Sequence, residues 1–165
     1  MEKLKIALLV DAENFLEPLQ LFGQFTDGLS AYGTITDKVA IGGWGFIKHL
    51  NNWREVCIQQ KIKMQGYNGF NGKNAADRAL IAMATKMICD KKCNALAIYS
   101  RDTGFSIGFA SLKILGAKII APVINKEFIP DADFYIITDK SKLSKGDIKT
   151  EMGLKLLKAM PNLFL

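Results

Sequence analysis

A chain of 165 residues, 49% apolar and 23% charged, has the length and balance of one ordinary soluble domain with a core of its own. Nothing approaches the roughly 18 apolar residues of a membrane span. The N-terminal apolar run is too short for a signal peptide and lacks a small-residue cleavage site, which predicts a cytoplasmic protein with no membrane partner. The formal charge of +6 weakly favours a polyanionic partner, while three cysteines and one histidine exclude a disulfide framework, a zinc quartet and a histidine-based triad.

The apolar run Lys5-Ile6-Ala7-Leu8-Leu9-Val10 ends in Asp11-Ala12-Glu13-Asn14. Such a run bounded by polar residues predicts a strand buried on both faces. Phe15, Leu16, Leu19, Phe22 and Phe25 follow at helical spacing, with Glu13 and Asn14 as capping residues, and Gly28 and Gly33 interrupt what comes next. Residues 34–43 predict a strand. Residues 46–60 predict a helix, with His49 on its surface. Residues 62–67 form a short strand candidate. Gly66, Gly69 and Gly72 then mark a mobile loop, which fails the GxxxxGK spacing of a phosphate-binding loop.

Residues 74–90 predict a strong helix capped by Asn74, with Cys89 and Cys93 on one face near its end. Ala95–Tyr99 predicts the most buried strand, ending in Ser100-Arg101-Asp102-Thr103-Gly104-Phe105. A helix over 105–115 stopped by Gly116, a strand over 117–124 and a strand over 134–137 complete the series. From Lys140 to Lys158 six lysines face Asp147 and Glu151, in a C-terminal extension over 140–165 that packs on or trails a domain of residues 1–139. Strands alternating with helices predict a three-layer α/β/α sandwich with a mainly parallel central sheet, Rossmann-like in architecture.

Three carboxylates stand out. Asp11 and Asp102 each follow a buried strand, where ligands are met in open α/β sheets. Asp77 shares a helix face with Leu80, Ile81, Ala84 and Ile88, so it faces inward near the helix start. Taken singly, each is explained as a cap, a turn residue or an acid favoured by the helix dipole. Taken together, they converge above the sheet, where clustered anions suit a hard divalent ion, Mg²⁺ or Mn²⁺. Such an ion orients a phosphodiester and activates water.

The residues resemble the NYN domain family, in its LabA-like branch, within the PIN-like nuclease fold. Three segments over roughly residues 5–138 carry the resemblance: Leu8-Leu9-Val10-Asp11-Ala12-Glu13-Asn14, Gly72-Lys73-Asn74-Ala75-Ala76-Asp77 and Tyr99-Ser100-Arg101-Asp102-Thr103-Gly104-Phe105. The resemblance implies a metal-dependent ribonuclease-like site with Asp11, Asp77 and Asp102 as metal and catalytic carboxylates. Asn14 would steady the first turn or contact phosphate, and Ser100 and Thr103 would donate to a ligand or metal water. The chain departs from the family at Gly104 and at Met83, where the family usually carries acids. Glu13 and Asp133 are the candidates to compensate.

Lys73, Arg78 and Arg101 flank the carboxylates and suit a phosphate backbone. Arg101 clamps a phosphate or partly replaces a metal's charge. Tyr67 and Phe70 either stack unpaired bases of single-stranded RNA or pin their loop. The sequence leaves a homodimer open. Two readings compete: a metal-dependent ribonuclease, and a weakened NYN domain that binds RNA, a nucleotide or a protein. An aspartyl phosphatase of the haloacid dehalogenase type ranks below both, because D-x-D-x-[TV] is not met at Asp11–Phe15, and no G-x-G-x-x-G supports a dinucleotide site.

Overall fold

The computed structural model describes residues 3–13, 19–44, 50–67, 69–125 and 127–138. Asn14, His49 and the lysine-rich extension from Lys140 lie outside the described residues. The chain runs β1 (Leu4–Asp11), α1 (Leu19–Leu29), β2 (Gly33–Ile41), α2 (Leu50–Gln60), β3 (Lys63–Gln65), α3 (Ala75–Cys89), β4 (Ala95–Tyr99), α4 (Phe105–Ile114), β5 (Lys118–Ile124), β6 (Glu127–Phe128) and β7 (Phe134–Ile137). The strands form one sheet in the order β3-β2-β1-β4-β5-β6, with β7 pairing β5. All pairings are parallel except the β5–β6 hairpin.

β1 is the middle of this sheet. It pairs β2 along one edge and β4 along the other. Its alternating side chains fill two separate cores. Ala7 and Leu9 face Ala76, Ala79 and Leu80 of α3 and Phe105 and Phe109 of α4. Ile6, Leu8 and Val10 face Phe22 and Phe25 of α1 and Trp53 of α2. A strand buried this way must be apolar throughout, which is why the segment reads as an unbroken run. The three-layer sandwich expected from the alternation of elements is the architecture observed.

Several boundaries differ from expectation. α1 continues through Gly28 to Leu29. Gly28 is there for contact: a Cβ would stand 2.7 Å from Cγ2 of Ile136. Asn74 adopts the left-handed conformation (φ 60°) and gives α3 no side-chain cap. Oε1 of Glu13 is engaged by Gly43 and Tyr67, as described below, and the helix start expected after it, residues 14–18, lies outside the described residues. Cys93 lies beyond the end of α3 and is buried, whereas Cys89 is exposed, so the two do not share a helix face. The two-residue β6 has no sequence signal, being too short for periodicity.

Two glycines separate steric need from mere permissiveness. At Gly33 a Cβ would stand 2.1 Å from the carbonyl oxygen of Leu4, in the backbone of β1. At Gly23, inside α1, nothing lies within 4 Å. Gly33→Ala is therefore expected to destabilise the protein by more than about 2 kcal/mol, and Gly23→Ala to stabilise it by about 0.5–1 kcal/mol through helix propensity. Urea melts of the two variants check both signs.

Candidate functional site

The strand order reverses direction between β1 and β4, since β2 and β3 extend one way and β4 and β5 the other. Ligands in open α/β sheets are met beyond the carboxyl ends of strands at such a point. Asp11 ends β1 and Ser100 follows β4, so the switch point is lined by two of the residues singled out in the sequence. Asp11 continues the parity of Ala7 and Leu9, which sends its side chain to the α3–α4 side of the sheet. It is 1% exposed.

The turn after β4 is built around Asp11. The buried Ser100 hydroxyl donates to Oδ2 of Asp11 at 2.8 Å. The same oxygen of Ser100 accepts the Asp102 N–H at 3.1 Å. Oδ1 of Asp102 in turn accepts the Gly104 N–H at 2.8 Å. Gly104 adds no side chain of its own there, and a Cβ at that position would stand 3.0 Å from Oδ1 of Asp102.

Asp77 sits in the first turn of α3 and its carboxyl is hydrogen-bonded to that of Asp102. Its pKa is pushed up to about 7, first by burial, then by the Asp102 hydrogen bond and the nearby charges of Asp11, Asp102 and Glu13. The helix dipole favours an anion there by only ~0.3–1 kcal/mol, so desolvation and like charge win. A 290 Å³ pocket is bounded by Glu13, Tyr67, Asp77 and Asp102, and no lysine or arginine is among its described lining residues.

Glu13, read in the sequence as a capping residue, lines this pocket. Its Oε1 accepts the Gly43 N–H at 2.8 Å and the Tyr67 hydroxyl. Tyr67 is held protonated, its pKa pushed up to about 12 by burial and then by the Glu13 hydrogen bond. Gly43 is required by this approach, because a Cβ would stand 2.6 Å from the Tyr67 oxygen. Strand parity was the available signal: residues 11 and 13 point the same way if the strand continues. Asp133 cannot join the cluster. It accepts the Ile119 N–H at 2.8 Å, at the opposite end of β5.

The expected cations are placed beside the carboxylates but are engaged by other partners. Arg78 donates to the carbonyls of Asn71 and Lys73 and lies over the Phe70 ring, 5.7 Å from its centroid. Arg101 donates to Glu127 of β6 at 2.5 Å. Lys73 and Thr103 are exposed; Thr103 lines a separate 380 Å³ pocket with Arg101 and Glu127. Tyr67 pins the glycine loop through Glu13, and Phe70 packs against the core. Met83 lines a cleft toward β2 and β3 with Asp37 and Lys63, so an acid at that position would not have joined Asp77. One chain carries Asp11, Asp77 and Asp102 to the same end of the sheet, although among the described residues no three His, Cys, Asp or Glu side chains are spaced to hold a metal ion.

Asp77 binds its proton more tightly folded than unfolded, where a carboxyl titrates near pH ~4. Its contribution to stability is therefore full below the unfolded value and declines as pH rises toward about 7. In chelator, Asp77→Asn should raise the melting temperature at pH 8 and leave it little changed at pH 4. The gain is on the order of 1 kcal/mol once solvent screening of this half-exposed group is allowed for. Thermal melts at the two pH values check the sign.

Comparison with known proteins fits this geometry. The fold is similar to the crystal structure of a Vibrio parahaemolyticus protein of unknown function, with a TM-score of 0.63 at 16% identity over 84% of this chain and 94% of that one. No curated protein matches the sequence. The family model of the NYN domain matches residues 5–140, nearly the whole described chain. By that match the chain belongs to the NYN domain family, whose members are generally nuclease-like, RNA-associated domains.

Proposed function

We propose that the protein is a metal-dependent ribonuclease of the LabA-like NYN branch, acting on RNA in the cytoplasm, with Mg²⁺ or Mn²⁺ held by Asp11, Asp77 and Asp102. The observation that supports this best is the raised pKa of Asp77. Asp77 is driven toward neutrality first by burial and then by the Asp102 hydrogen bond and the charges of Asp11, Asp102 and Glu13, so four carboxyl groups are gathered at the switch point. The donors are all oxygen, which suits a hard divalent ion. Among the described residues no three His, Cys, Asp or Glu side chains are spaced to hold an ion together. The donors therefore suit such an ion in kind but not in their present spacing, and occupancy requires the Asp77 proton to leave and the carboxylates to close up.

A bound Mg²⁺ or Mn²⁺ supplies an activated water and offsets charge on the phosphodiester. The chain supplies orientation. Ser100 fixes the rotamer of Asp11, and the Gly104 N–H fixes that of Asp102. Glu13 holds the glycine loop over the pocket through Tyr67. The exposed Lys73 offers positive charge to the strand's backbone, and the extension from Lys140 carries six more lysines in its sequence.

The second reading, a weakened NYN domain that binds RNA, a nucleotide or a protein, is favoured by the spacing of the carboxylates and by the missing acidic side chain at Gly104. Calorimetry with Mn²⁺ and cleavage of a labelled single-stranded RNA separate the two. The hydrolase reading expects the parent to bind Mn²⁺ and cleave, and Asp102→Asn to lose both. Ser100→Ala should weaken Mn²⁺ binding about 10–100-fold, the usual effect of removing a partner that orients a ligand. RNA binding with no Mn²⁺ binding at millimolar concentration would leave the binding reading standing alone.

A further inference from the structure

A cleft of about 570 Å³ runs between α3 and α4 and opens at one end onto Asp77 and Asp102. That volume lies within the ~300–1,000 Å³ of small-ligand sites. Its walls include Phe70, Ile81, Phe105 and Ile107. Ile107 is 78% exposed, an apolar side chain standing in solvent at the edge of the cleft. Two glycines of one helix face shape it. A Cβ at Gly108 would stand 2.5 Å from Cδ1 of Ile81, so glycine lets α4 lie close against α3. Gly104 leaves the end nearest the carboxylates without a side chain and without a further negative charge.

The rim is a flat, cationic stack. Arg78 lies over Phe70 and is held there by the carbonyls of Asn71 and Lys73, so the guanidinium plane is fixed before any ligand arrives. Aromatic faces and guanidinium planes are surfaces on which unpaired bases stack. Acids at one end disfavour a bare phosphate inside the cleft, whereas the ring of a base carries no net charge. A base can enter only if it is not held in a duplex.

We propose that this cleft receives an unpaired nucleobase of the RNA, adjacent to the phosphate that lies at the carboxylate cluster, so that the substrate is single-stranded. This rests on the ribonuclease reading of that cluster. Ile107 is the specificity residue open to test, being exposed and outside the carboxylate set.

The test measures fluorescence anisotropy of a labelled single-stranded RNA oligonucleotide with the full chain in chelator, for the parent, Ile107→Asn and Ile114→Asn. Ile114 is 86% exposed, seven residues along the same helix, and does not line the cleft. Both variants should keep the parent's melting temperature. Ile107→Asn should weaken RNA binding about tenfold, Ile114→Asn should leave it unchanged, and a blunt duplex of the same sequence should compete poorly. Equal effects of the two variants, or none at Ile107, would overturn the proposal, as would a duplex competing as well as the single strand. Mn²⁺ calorimetry on the same samples separates this failure from that of the nuclease reading. A parent that binds Mn²⁺ and cleaves, yet is indifferent to Ile107, loses the base cleft alone. A parent that binds RNA through Ile107 but neither binds Mn²⁺ nor cleaves loses the hydrolase alone. A parent that binds no RNA overturns both.

Discussion

β1 is hydrogen-bonded along both edges and packed on both faces, and that double confinement governs the site. A strand with no free edge and no free face has one register. Slipping it by one residue would put Ile6, Leu8 and Val10 where Ala7 and Leu9 now fit. The same slip would turn Asp11 from the α3–α4 side to the α1–α2 side. The position of one buried carboxylate is thus set by the packing of the apolar residues before it. β4 is confined in the same way, and its exit turn reaches Asp11 through the Ser100 hydroxyl. The switch point between the two strands is where the fold permits a polar crevice, and the acids are there.

Holding those acids together opposes stability. Burial and neighbouring charge raise the pKa of Asp77 against the pull of the helix dipole. The core offsets this cost. α3 buries Ala75, Ala76, Ala79 and Ala84 with one large residue, Leu80, and the small side chains around Asp77 let the first turns of the helix lie close to the sheet. Larger residues on that face would strengthen hydrophobic burial and separate the two carboxyl groups. The alanine face is therefore a feature of the site as much as of the core.

The sequence showed the sheet and the positions of the three aspartates on it for one reason: both are written in local periodicity. The apolar runs of β1 and β4 and the inward face of α3 place Asp11, Asp102 and Asp77 without any tertiary information. What was not legible depends on contacts between distant segments. The Glu13–Gly43–Tyr67 bridge joins residues up to 54 apart in sequence, and Glu13 alone resembles a helix cap. Asn74 stands where a cap is expected, but its left-handed backbone removes the side chain from that task. Gly28 looks like a helix stop until Ile136, far along the chain, is seen to need the space. Arg101 looks like a phosphate clamp until the short β6 brings Glu127 against it.

The placement of the arginines completes the electrostatic argument. A chain with a net charge of +6 could have neutralised four carboxyl groups with its own side chains. Arg78 and Arg101 are adjacent in sequence to Asp77 and Asp102, yet the first is held by loop carbonyls and the Phe70 ring and the second by Glu127. Each has a specific partner outside the carboxylate set. The result is a small negative pocket within a positively charged protein, an arrangement that lets a polyanion approach while leaving the pocket's charge for something else to offset. The hydrogen bonds described for the two guanidinium groups run to loop carbonyls and to Glu127, so the pocket between Glu13, Asp77 and Asp102 keeps its acidic lining within a basic chain.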